Sequence, residues 1–134
     1  MTPIEMKQRT RALALRIIRL VESLPRNQTA NVIGRQLLRC GTPVGANYRA
    51  ACRARSRADF VAKMGIVEEE ADEIIYWIEL LVDSGLLKQS RIDELSAETN
   101  EIVAMVVSSI RTARVNGSRP RASKSAIRIP ESAI

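Results

Sequence analysis

"FVAKMGIVEEEADEIIYWIELL", residues 60–81, decides how the rest of the chain reads. Phe60, Met64, Val67, Ala71, Ile74, Ile78 and Leu81 recur at steps of 4, 3, 4, 3, 4 and 3. That spacing lays these side chains along one stripe of an α-helix, and no strand face would collect them. Ser56, with Asp59 three residues on, resembles a capping box in which aspartate replaces the usual glutamate, so the helix starts at Ser56. It ends at "DSGLL", with Gly85 as the stop. Ala62, Ile66, Trp77 and Leu80 form a second apolar set, about 200° to 260° around the wheel from Phe60, among Glu69 and Glu73. A single bundle buries one face of a helix. Ile66, Trp77 and Leu80 are therefore candidate subunit-interface residues, the alternative being that Trp77 packs at the bundle edge.

Working outward, the same period governs the flanks. A first helix is expected from Pro3 to Leu24, with Thr2 as N-cap, Pro3 at the first helical position and Glu5 at the third. Leu13, Ile17, Leu20 and Leu24 form its apolar face. A second begins near Asn27, with Ile33, Leu37, Cys40, Val44, Tyr48 and Ala51 in phase. Gly41-Thr42-Pro43 interrupts it locally as a stop and restart, yet the phase runs straight through, which favours one kinked arm. Pro43 then removes a single hydrogen bond, the one to the Arg39 carbonyl. A last helix is expected from Ser90 to about Ala113, with Ile92, Leu95, Ile102, Val106 and Ile110 on one face. Four such helices joined by short loops predict an all-α, antiparallel, up-down-up-down four-helix bundle over residues 1–114. Phe60, Val67, Ile74, Ile78, Ile102 and Val106 are its expected core. Residues 115–134, rich in Ser, Arg and Pro, are expected to be a mobile basic tail.

Composition narrows the function. The chain has 134 residues, enough for one domain, and aromatics at 3% leave an aliphatic core. It contains no histidine, which removes the usual general base, metal ligand and Ser/Cys–His pair together. The acids from Glu68 to Glu73 lack the histidines of a di-iron site, so no metal, cofactor or enzymatic activity is expected. Cys40 and Cys52 read as small buried hydrophobes. No apolar run approaches a membrane span and the N-terminus has no signal-peptide core, so a cytoplasmic protein without a membrane partner is expected.

The net charge of +6 is unevenly spread. Residues 1–60 hold 12 Lys and Arg against 3 Asp and Glu, whereas residues 61–114 hold 5 against 11. Either the two halves neutralise each other across the bundle, or the surface has separate poles. On the second arm, with Arg35 set at 0°, Arg39 falls near 40°, Arg49 near 320° and Arg53 near 0°, opposite the apolar stripe. Arg55 and Arg57 extend the charge into the following turn, and no acid occurs from Asn27 to Arg57. An ordinary solvated face usually mixes signs. The competing reading is an anionic partner, with phosphate as the natural match for guanidinium. Arg35, Arg39, Arg49, Arg53, Arg55 and Arg57 are thus the candidate nucleic-acid contacts. Gly41, Gly45 and Ala46 leave room for a neighbouring backbone to come close.

Gly41-Thr42, Val44-Gly45-Ala46-Asn47-Tyr48, Asp59-Phe60, Lys63, Glu70-Ala71-Asp72-Glu73 and Tyr76-Trp77 resemble the family known as four-helix bundle proteins. These are the products of intervening sequences in bacterial large-subunit ribosomal RNA genes. They are related to the accessory variability protein of diversity-generating retroelements. Pro43 stands where that pattern has serine. The resemblance implies a homopentameric barrel without enzymatic activity. It also implies a nucleic-acid-binding accessory role, RNA or DNA, with a reverse transcriptase as a second partner. The alternative is an oligomeric scaffold for an acidic protein. Salt-dependent RNA binding separates the two.

Overall fold

The computed structural model describes residues 1–117, and all of their regular structure is helical. The elements are α1 (Pro3–Glu22), α2 (Gln28–Gly41), α3 (Pro43–Cys52), α4 (Arg57–Asp83) and α5 (Gln89–Gly117). Thr42, between α2 and α3, keeps right-handed helical dihedrals (φ −71°, ψ −35°), and its N–H still reaches the Leu38 carbonyl at 3.2 Å. The two segments are therefore one kinked arm, as the unbroken phase predicts, and the fold is four helical rods consistent with a four-helix bundle.

Local signals act where the sequence places them. Thr2 and Glu5 close a reciprocal capping box at the start of α1. Asn27 accepts from the Ala30 N–H at 2.8 Å. Ser56 accepts from the Asp59 N–H at 3.0 Å, but the Asp59 carboxylate bonds the Arg55 N–H instead of closing the box on Ser56. Gly85 ends α4 at φ 82°. There the Gly85 N–H bonds the Val82 carbonyl and the Leu86 N–H bonds the Leu81 carbonyl, the paired bonds of a Schellman motif.

All six expected core side chains are fully enclosed. Leu13, Ile17, Leu37, Val44 and Tyr48 join them in one continuous core. The buried serine and threonine hydroxyls are satisfied within their own helices: Thr10, Thr99 and Ser109 each donate to the carbonyl four residues back. The final helix continues to Gly117, past the boundary expected at residue 114. Residues 118–134, where most of the basic tail was expected, lie outside the described residues.

Candidate nucleic-acid interface

The arm is shaped by its glycines. A Cβ on Gly34 would stand 3.1 Å from Val21, one on Gly41 3.0 Å from Ile17, and one on Gly45 3.0 Å from the Thr10 hydroxyl. The backbone expected to come close to the small residues is thus α1. This contact fixes which way the arm faces. Ile33, Leu37, Cys40, Val44, Tyr48 and Ala51 turn inward and are buried, while Arg35, Arg39, Arg49 and Arg53 turn to solvent.

The arginines do not form one continuous strip. Arg49 shares a groove of about 280 Å³ with Lys7 and Arg11 of α1, floored by Gly45 and Ala46. Among the described residues, that groove is lined by three cations and no acid. Arg53 and Arg55 border a separate recess with Lys63 and Asp59. Arg35 lies beside Arg26 and Glu22 near the α1–α2 turn, and Arg39 is exposed outside these recesses. Arg57 is set apart: it is only half-exposed, and its Nε and Nη1 are enclosed. Phase alone placed Arg57 with the turn charges, but the end of α5 lies against its stem, since a Cβ on Gly117 would stand 3.4 Å from Arg57 Cδ.

Lys7 and Arg11 were missed by a reading confined to the arm. Their signal is present, because they are four residues apart on α1 and so share a face. What made them part of the site is the close α1–α3 approach, a tertiary fact.

Ion pairing shows how far the two halves of the chain neutralise each other. Arg9 of α1 donates from Nε to Glu98 of α5 at 3.0 Å and lies 3.3 Å from Glu101, and Arg16 reaches Glu94 at 3.8 Å. The hydrogen bond to Glu98 raises the Arg9 pKa further. Among the described residues, none of Arg35, Arg39, Arg49, Arg53 and Arg55 forms such a pair. The acids of α5 therefore pair with part of α1, while the arm's arginines form no ion pair among the described residues.

On α4, Lys63 donates to Asp59 at 2.9 Å and, with the Arg55 N–H, holds that carboxyl below its usual range. Glu70 accepts from the Asn47 side chain at 2.7 Å, tying α4 to α3. Burial raises the Glu70 pKa, Asn47 opposes the rise, and Glu73 and Glu69 add to it. Burial pushes the Cys40 thiol up to about 12, which makes it inert at neutral pH. The Tyr48 hydroxyl is enclosed, and burial, followed by the neighbouring Cys52 thiol, pushes its ionisation up. Among the described residues no group of three or more His, Cys, Asp or Glu side chains could hold a metal ion. No helix among them is long and apolar enough to cross a membrane.

The proposed interface residues on α4 occupy different depths. Ile66 is exposed and Leu80 half-buried. Trp77 is also half-buried, with its Nε1 enclosed and its ring packed against the core. The outward aromatic is Tyr76, edge-to-face with Trp77 at 4.9 Å.

Fold and surface together define a helical bundle protein with a basic arm whose arginines form no ion pair among the described residues. The chain belongs to the 23S rRNA-intervening sequence protein family, whose model matches residues 2–108. It is similar to a protein of unknown function from the S23 ribosomal protein family of Bacteroides thetaiotaomicron, known from a crystal structure. The two are 35% identical with a TM-score of 0.77, over 83% of this chain and 99% of that one. Neither description names an enzymatic activity. Among curated proteins none matches.

Proposed function

We propose that this chain is a non-enzymatic accessory protein that binds nucleic acid through phosphate contacts. Arg35, Arg39, Arg49, Arg53 and Arg55 would act together with Lys7 and Arg11. The observation that carries the reading is the groove between α1 and α3, where Lys7, Arg11 and Arg49 converge without an acid in its lining among the described residues. Guanidinium and ammonium groups placed this way attract phosphate and bind it with little regard to sequence. Tyr76, the one exposed aromatic among the described residues, lies on α4, away from this groove, so base stacking adds no selectivity.

The same proposal includes an up-down-up-down order and a homopentamer. The order is supported by partner positions that run in opposite directions. Gly34, Gly41 and Gly45 oppose Val21, Ile17 and Thr10, and Arg9 and Arg16 meet Glu98 and Glu94. Assembly is supported by the outer face of α4, which presents Ile66 (49% exposed) and Tyr76 (57%) among Glu69 and Glu73. The number five comes from the family resemblance.

Light scattering on the purified protein should give about five times 14.9 kDa. Fluorescence anisotropy should show it binding a labelled RNA at low salt. A monomeric mass at micromolar concentration contradicts the ring, and the absence of RNA or DNA binding at low salt contradicts the function.

A further inference from the structure

A recess of about 580 Å³ lies where the first turns of α4 meet the last turn of α5. Its walls are apolar, made by Ala58, Val61, Ala62 and Ala113, and its charged members are Arg57 and Arg114. No acid lines it. The volume falls in the range that small-molecule sites occupy.

Arg57 is the unusual member. Its Nε and Nη1 are buried and have no hydrogen-bond partner among the described residues. A guanidinium cannot shed its proton in a protein, so the charge persists and its enclosed N–H groups lack acceptors. Leaving such groups unmet is costly, and an oxyanion meets them with charge-assisted bonds. The nearest candidate in sequence, Asp59, is committed elsewhere, to Lys63 and to the Arg55 N–H. The stem of Arg57 lies beside Gly117 at the end of α5.

We infer that this recess is a binding site for an amphipathic carboxylate, a single negative head on an apolar body. Arg57 receives the head, and Ala58, Val61, Ala62 and Ala113 receive the body. Arg114 is exposed and its charge is screened by solvent, so Arg57 is the one cation with enclosed donors, which matches a head of one charge, a carboxylate. The apolar walls disfavour a bare ion. The site is separate from the proposed phosphate surface, because Arg49 lines the groove between α1 and α3, and Arg53 lines a recess with Asp59 and Lys63.

The test titrates the full-length protein with octanoate, with octan-1-ol (the body without the charge) and with acetate (the charge without the body). Octanoate is expected to move the Arg57 Nε–H nuclear magnetic resonance signal saturably, at one equivalent per chain. Octan-1-ol and acetate should each bind at least about tenfold more weakly. Arg57→Gln should weaken octanoate by at least about tenfold with the far-ultraviolet dichroism unchanged. The double variant Arg49→Glu/Arg53→Glu should bind octanoate as the parent does. An unmoved Arg57 Nε–H signal in the parent protein would overturn the site, whatever the variants do. Equal binding by Arg57→Gln would overturn the role of its charge, and loss of binding in the double variant would overturn its separateness.

Discussion

Glu70 shows how one contact can serve packing and cost something at the same time. Its carboxylate accepts from Asn47 and joins α4 to α3, yet burial raises its pKa. A raised carboxyl in the folded state penalises folding once the group ionises. Below the unfolded carboxyl's ordinary range both states are protonated and the penalty is absent. It grows as pH climbs from the unfolded value to the folded one and is constant beyond. Glu70→Gln keeps an acceptor for Asn47 and removes the charge. Thermal unfolding of both proteins across the acid range should therefore show equal midpoints at low pH and a higher midpoint for the variant at neutral pH. A variant less stable at neutral pH would show that the charge, and not the hydrogen bond, holds the two helices. Neither Asn47 nor Glu70 stands out by periodicity, which marks apolar positions only; they entered through the family resemblance. Arg57 was legible as a charge, but its enclosure needed the structure, since the turn beside it comes from the far end of the described chain.

At the scale of the elements, the arm and α1 are held close by missing side chains. Gly41→Ala and Gly45→Ala would each push a methyl to 3.0 Å from an α1 side chain, Ile17 or Thr10. Each should destabilise by about 1–3 kcal/mol, the usual cost of overpacking. Gly65 in α4 is the control, with nothing within 4 Å of an added Cβ. Gly65→Ala should stabilise by about 0.5–1 kcal/mol through helix propensity. Denaturant unfolding of the three variants checks the contrast, and a stabilised Gly41→Ala would contradict the close approach. The kinked arm was legible beforehand because apolar phase survives the loss of one hydrogen bond at Pro43. The partner of its glycines was not legible, because period shows which face is small without showing what approaches it. The same limit hid Lys7 and Arg11, which became part of the groove only once α1 was laid against α3.

Across the whole molecule, charge is sorted before it is used. Acids of α5 neutralise Arg9 and Arg16, while the arm keeps its cations unpaired among the described residues. Five copies of a chain carrying +6 would present +30, with the basic groove repeated in every subunit. Repetition strengthens binding without new contact types, provided one polyanion spans several copies. The most direct test of the account is the salt dependence of RNA affinity, measured for the parent protein and for Arg49→Glu/Arg53→Glu at matched helicity and oligomeric mass. Phosphate binding predicts that the logarithm of affinity falls linearly with the logarithm of salt, at a slope of about −0.7 per phosphate contacted on single strands. The double variant should bind more weakly and with a flatter slope. Identical affinity and slope in the two proteins would contradict the account, and would place any RNA contact away from the arm.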